Sequence, residues 1–291
     1  IDFEPYEIEL KSELLSGNTH HENEIELDTE DKNKVSMEFS KYNNTPEPEI
    51  EISVEFREII EFEDNNDNGI YDSGDEEVSV YDLREVDYRE IEYSTRVTQD
   101  GETEHILTSQ TTDSVFKVVV HAVGNFAIIE SGAISPSEIK IDLIIQNYPY
   151  KEEDTQLALE TKLESEEEME EEHGGSGDDS EEERKVLITA ADAEAYFSWA
   201  ETAEVDGVET PVKTSTETEE DGDLRIYFAY ERGTLINHDP KLGVPFLTLS
   251  SVSPDSDDDS SMRVAAYLAA LLVGGMAIVG AVYYRRKKNG Y

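Results

Sequence analysis

Ile50-Glu51-Ile52-Ser53-Val54-Glu55-Phe56 alternates apolar and polar residues without a break. A strand turns successive side chains to opposite faces, so Ile50, Ile52, Val54 and Phe56 share one face and Glu51, Ser53 and Glu55 the other. The same period of two recurs at 35–39, 91–97, 115–123, 139–145, 157–163, 193–199 and 224–230. Most of these segments are rich in Val, Ile, Tyr, Phe and Thr, and Gly, Asn, Asp or Pro separate them. The pattern predicts an all-β domain over residues 1–249. Its strands are antiparallel, each with one buried and one solvated face, and the expected architecture is sandwich-like. Asp206-Gly207 is a hairpin signal and 219–223 a second turn, which together predict a three-stranded meander over 191–230.

Composition bounds the function. The chain of 291 residues carries 70 acidic and 23 basic side chains, a net charge of −47. A field of that sign repels nucleic acid and anionic lipid and attracts cations and basic partners. Salt adaptation and deliberate gathering of divalent cations both explain such acidity. There is no cysteine, so stability rests on the core and on any bound ions. The sequence opens with Ile1, which fits a chain whose signal peptide has been removed.

The C-terminal end has a different pattern. Residues 264–284, VAAYLAALLVGGMAIVGAVYY, hold no charge and are followed by Arg285, Arg286, Lys287 and Lys288. As a helix they would reach about 31 Å, enough for a hydrocarbon core of roughly 30 Å. The basic cluster marks the cytoplasmic side, and an acidic Ser/Asp stalk at 250–263 precedes the span. The expected topology is single-pass type I at the plasma membrane, with an extracellular domain and a basic tail at 285–291. Four of the 23 bases then lie inside, leaving 19 against 70 acids on the outer part. Ala266, Ala270 and Gly274 recur every four residues, a spacing that permits a homodimer through close helix approach.

The sharpest soluble motif is DNNDNGIYDSGD at 64–75. Calcium takes six to eight oxygens, and a twelve-residue loop supplies them from positions 1, 3, 5, 7, 9 and 12. Those positions hold Asp64, Asn66, Asn68, the Ile70 carbonyl, Asp72 and Asp75, with Gly69 where the loop turns sharply. The loop follows a strand and ends on Asp, unlike the helix-flanked EF-hand with its terminal Glu. It resembles the calcium loops of dockerin-type modules.

Other candidates point to less. Residues 164–183, ESEEEMEEEHGGSGDDSEEE, hold one apolar residue, Met169, and are expected to form a solvated acidic loop that takes up cations diffusely. His20-His21 reads as an exposed pair. Asn43-Asn44-Thr45 is a glycosylation sequon. No G-x-S-x-G, phosphate-cradling loop or H-E-x-x-H is present, so the chain is not expected to be an enzyme.

Several blocks in order carry a resemblance. The loop leads into 78–83; Ile139-Lys140-Ile141-Asp142 runs on to Asn147-Tyr148-Pro149-Tyr150; and an acidic insert follows the strand at 157–164. Ala195-Tyr196-Phe197-Ser198-Trp199 and His238-Asp239-Pro240-Lys241-Leu242-Gly243-Val244 complete the series. That order is similar to the acidic skeletal organic matrix proteins of stony corals and their uncharacterised microbial, including archaeal, relatives. The resemblance implies a calcium-interacting surface protein with basic or mineral partners. The insert is Glu-rich where mineral-binding runs are typically Asp-rich.

The expected function is therefore a membrane-anchored acidic cell-surface protein that binds Ca2+, in a structural or adhesive role. A small-ligand receptor is the rival, favoured by an exposed aromatic cluster at Trp199, Tyr196 or Tyr227. A surface hydrolase is the third, and would need a converging acid, base or metal cluster. Topology is directly testable: protease added to intact cells should digest residues 1–262 and leave a membrane-protected fragment beginning near Arg263. A fully protected outer domain in sealed cells contradicts the type I assignment.

Overall fold

The computed structural model describes residues 6–16, 19–29, 34–42, 46–130, 132–173, 183–190, 193–219, 221–244 and 282–285. They form antiparallel sheets, and no helix occurs among them. The first sheet opens as a meander of β1 (Glu7–Ser16), β2 (Thr19–Asp28), β3 (Lys34–Tyr42) and β4 (Pro46–Glu63). β5 (Glu76–Asp82) turns back along the far half of β4. On the other side of β4 lie β12 (Gln156–Glu164), β19 (Leu224–Tyr230) and β18 (Lys213–Thr218), in that order.

The second sheet starts with β6 (Glu92–Val97), β7 (Thr103–Gln110) and β8 (Phe116–Val123), which reaches β11 (Glu138–Gln146). The far side of β11 meets β20 (Leu235–His238) and β21 (Lys241–Gly243) end to end. β15 (Ala193–Ala200) pairs with β21, and β16 (Thr202–Val205) pairs with β20. The edges are β14 (Glu183–Ala190) with β13 (Glu168–His173), and β17 (Val208–Pro211). A separate hairpin of β9 (Ala127–Ile129) and β10 (Gly132–Ile134) stands beside this sheet.

The inner faces meet in one core. Ile50, Ile52, Val54 and Phe56 are buried as the alternation requires. Phe56 of β4 meets Phe116 of β8 at 5.8 Å between ring centroids, and Phe228 of β19 meets Trp199 of β15 edge-on at 5.3 Å. Burying one such ring stabilises by about 1.5–3 kcal/mol, so the shared aromatic seam holds sheet to sheet. His238 lies in that seam, fully buried. Its Nε2 donates to the Ala200 carbonyl while Nδ1 accepts from the Tyr230 hydroxyl. Burial lowers its pKa to about 4, which keeps the ring neutral.

Each expected segment of alternation lies within or along a strand, but two expectations change. The 191–230 meander is divided between sheets: β16 and β17 form the Asp206-Gly207 hairpin in the second, and β18 and β19 belong to the first. The chain crosses at Val212, which is buried and donates its N–H to the Glu201 carbonyl. The acidic insert is not loop throughout, because Glu168–His173 pairs with β14 and Met169 packs against the core. Backbone pairing and one half-buried thioether supply what carboxylates could not. Residues 174–182 of the insert lie outside the described residues, as does Asn43. At the C-terminal end β22 (Val282–Arg285) runs beside β1. The expected span otherwise falls on 264–281, outside the described residues, and so do Ala266, Ala270 and Gly274. Among the described residues no helix is long and apolar enough to cross a membrane.

Glu61, on the core-side face of β4 with Ile59, shows how the fold uses a buried carboxylate. It is fully buried and accepts the N–H groups of Lys151 and Glu152 and the hydroxyls of Ser79 and Thr155. Burial alone would raise its pKa, but these donors hold it below the ordinary glutamate value. A depressed folded pKa contributes stability that is present above the unfolded value and lost as pH falls through the folded one. Glu61→Gln should therefore cost about 1–3 kcal/mol at pH 7. Denaturant melts should show that gap shrinking below pH 4.5, the ordinary glutamate value. A gap independent of pH contradicts this account.

Candidate calcium loop and acidic faces

β4 carries the chain to one end of the first sheet, where its alternation gives way to Asp64 and the loop that returns into β5. Asp67 (φ 57°) and Gly69 (φ 73°) adopt left-handed backbone, which Asn, Asp and Gly tolerate best. The side chains then fold inward on their own backbone. Asp64 Oδ1 accepts from the N–H groups of Asn66 and Asn68, both at 3.3 Å, and Oδ2 accepts from Gly69 at 2.6 Å. Asn66 Oδ1 accepts from Asn68 N–H and Asn68 Oδ1 from Ile70 N–H. Asp75 closes the base, accepting from Asn65 N–H at 3.1 Å and Asp72 N–H at 2.9 Å.

Asp72 sits opposite. Its Oδ2 accepts from the amide nitrogens of Asn66 at 3.2 Å and Asn68 at 3.0 Å, while Oδ1 takes the Gly74 N–H. The Gly74 N–H, then Asn68 and Asn66, hold its pKa below the ordinary aspartate value. So five of the six expected ligand residues are joined in one hydrogen-bonded knot, and Ile70 joins it through its N–H. The three carboxylates are spaced apart by the two asparagine amides. A half-turn of each amide would exchange nitrogen for oxygen toward Asp72, at the cost of the bonds to Asn68 N–H and Ile70 N–H. The donor set of three carboxylates, two amide oxygens and one carbonyl suits a hard, flexible cation such as calcium.

Tyr71 roots the knot in the fold. Its ring packs against Phe62 at 5.2 Å and Tyr227 at 5.1 Å, on a small cluster outside the main core. Its carbonyl accepts the Ser215 hydroxyl of β18 at 2.7 Å. Burial, with Glu77 nearby, raises the phenol to about 12. The loop therefore lies across β4, β19 and β18, and a β-carbon on Gly69 would stand 3.4 Å from Lys213 Cγ.

A second acidic group, unremarked in the sequence except as a turn, closes the β18–β19 hairpin. Glu219, Asp221 and Asp223 each bring a carboxylate oxygen within 4.8 Å of the others. Basic side chains already engage them: Lys162 stands 2.7 Å from Asp223 and 3.5 Å from Glu219, and Arg225 and Arg57 pair with Glu219. Burial disfavours the Lys162 charge, but hydrogen bonds to Asp223 and Glu164 outweigh it and raise the pKa. A metal ion here would compete with a resident ammonium. The signal that could have found this trio was register: Lys162 and Arg225 are cross-strand partners, which concentrates acids around them.

The outer face of β2, β3 and β4 is a third acidic element. Glu24, Glu38 and Glu51 stand directly opposite one another on the three strands. They line a shallow concavity of about 280 Å³ with Glu26, Asp28 and Glu164, and Lys34 is its one base. Like charges directly opposite destabilise a sheet, so this face favours diffuse cation uptake.

The aromatic residues of the ligand-binding rival lie elsewhere. Trp199 and Tyr227 are buried, and Tyr196 hydrogen-bonds Glu138. The chain matches no family model and no curated protein.

Lys162 separates the two kinds of acidic site. Lys162→Gln should lower stability by about 1–3 kcal/mol, the worth of hydrogen bonds to a charged group, and millimolar calcium should restore part of it through the vacated trio. Chemical denaturation with and without calcium measures this. An unchanged midpoint would show the ammonium to be idle.

Proposed function

We propose that the chain is an acidic cell-surface protein that binds calcium at residues 64–75 and serves a structural or adhesive role. The observation that carries this reading is the knot: Asp64, Asn66, Asn68, Asp72 and Asp75 fold onto one another, with Tyr71 pinning them to β18 and β19. The ion would tie the end of β4 to the start of β5 and rigidify a loop rooted on the edge of the sheet. The acidic faces and the insert would raise the local cation concentration around it. Calcium in the millimolar range, ordinary for extracellular modules, fills sites of this class.

Membrane anchoring through residues 264–284 belongs to the same proposal. It requires Val282–Arg285 to leave β1, because a strand there returns the basic tail to the side of the domain. The protease experiment reads this alternative as well. Basic surfaces or mineral remain the partners that the charge favours, and the resemblance to coral matrix proteins and their archaeal relatives points the same way.

A ligand that binds only the folded state adds RT ln(1 + [L]/Kd), about 2.7 kcal/mol at a hundred times Kd. Asp64→Ala and Asp75→Ala should each abolish most of the calcium-dependent rise in Tm. Glu51→Ala on the acidic face should leave that rise intact. If all three variants respond to calcium as the wild type does, the loop is only a turn.

A further inference from the structure

One line of charge crosses the outer face of the second sheet, away from the calcium loop. Arg96 on β6 forks onto Glu104 of β7 with Nε at 2.8 Å and Nη2 at 3.1 Å. Glu104 is fully buried and faces His121 Nδ1 of β8 at 2.7 Å. His121 Nε2 faces Asp142 of β11 at 3.1 Å. Lys140 then bridges Asp142 at 3.1 Å and Asp239, at the corner between β20 and β21, at 2.8 Å. Signs alternate from end to end only if His121 is positive.

Geometry fixes that charge. Both ring nitrogens face carboxylate oxygens, and an ionised carboxylate only accepts. Arg96 keeps Glu104 ionised and Lys140 does the same for Asp142, so both imidazole nitrogens must donate. Nearly buried, His121 is thus an imidazolium held between two carboxylates. The neutral His238, donating to a carbonyl and accepting from a hydroxyl, is its opposite within one chain.

The ladder also reaches the hairpin that stands beside the second sheet. Arg96 extends its other arm to Glu130, 2.9 Å away, at the turn of the β9–β10 hairpin. Among the described residues that hairpin pairs only with itself. Its other ties are Ile128 N–H to Asp100, Asn125 to Glu102, and a cluster of Val123, Ala127, Ile129 and Ile134. Among the described residues β6 pairs only with β7, and it is exposed along nearly its whole length.

We propose that the Arg96–Glu104–His121–Asp142–Lys140 ladder is a proton-operated latch that clamps β6, β7 and the β9–β10 hairpin when His121 is charged and releases them when it is not. On losing its proton, the ring has one N–H for two carboxylates, and a nitrogen lone pair must face the other. Glu104 is left with Arg96 alone, which draws that guanidinium away from Glu130. The groups that set the response are Arg96, Glu104, Lys140, Asp142 and Asp239, with Glu130 at the far end of Arg96.

The sign follows from linkage. Burial opposes the charge, but the hydrogen bonds and fields of Asp142 and Glu104 raise the His121 pKa above 6.5. Its stabilisation is complete below the unfolded value and is lost as pH rises through the folded one. The latch therefore opens on the alkaline side.

Nitrogen-15 NMR of the full chain labelled at histidine tests this directly. At pH 7 both His121 ring nitrogens should carry imidazolium shifts, and His121 should deprotonate after His105 and His238, whose pKa values burial lowers. Hydrogen-exchange protection of the β6 and β7 amides, corrected for intrinsic rate, should fall across that transition while that of β3 and β4 holds. His121→Gln, which cannot titrate, should show low protection of β6 and β7 at every pH and no step. Titration of His121 at or below 6.5, or β6 and β7 protection that ignores the transition, overturns the proposal, and both readings on the wild type decide it even if the variant does not fold.

Discussion

Everything in this fold depends on keeping carboxylates off the inner faces of two sheets. With 70 acidic side chains in 291 residues, an interior is possible only where apolar residues arrive at strict period two. A one-residue slip in any strand would carry its acids into the core, so register is specified along each strand at high cost for error. The aromatic seam of Phe56, Phe116, Trp199 and Phe228 forms where that alternation is cleanest. Among the buried acids, Glu104 faces outward from its sheet and Glu61 closes the core side at the end of β4, and donors engage both carboxylates.

The same constraint distributes the few bases. Arg57, Arg84, Lys162 and Arg225 gather on β4, β12, β19 and the turn after β5, each shared among two or more carboxylates. β2 and β3 are left with an acidic face. The molecule thus has one half of its first sheet internally neutralised and another where Lys11 and Lys34 serve a larger number of acids. The loop at 64–75 lies on the neutralised side, rooted through Tyr71 and Ser215.

The strands at 50–56, 115–123, 139–145 and 224–230 were legible because β-branched and aromatic residues mark both period and propensity. β1 and β2 were not, although Ile8, Leu10, Ile25 and Leu27 alternate and are buried. Their glutamates have low strand propensity and masked the pattern. Glu168–His173 escaped for a related reason, since pairing with β14 orders it without an apolar face. The candidate residues of the loop, Asp64, Asn66, Asn68, Asp72 and Asp75, stand together in the structure and are close in sequence, so spacing alone could group them. The Glu104–His121–Asp142 ladder was invisible, as it joins residues 104, 121 and 142 across three strands whose register no single segment encodes.

The central claim is a specific ion site on a polyanionic surface, and salt distinguishes the two. Condensed cations exchange for potassium, whereas a chelated ion held by six oxygens is screened far less. Calcium calorimetry on the full chain in molar potassium chloride therefore tests the account most directly. It predicts saturable binding of about one ion, retained at high salt, in the affinity range of extracellular calcium modules. Heat that spreads over many sites and vanishes as potassium is raised would contradict it.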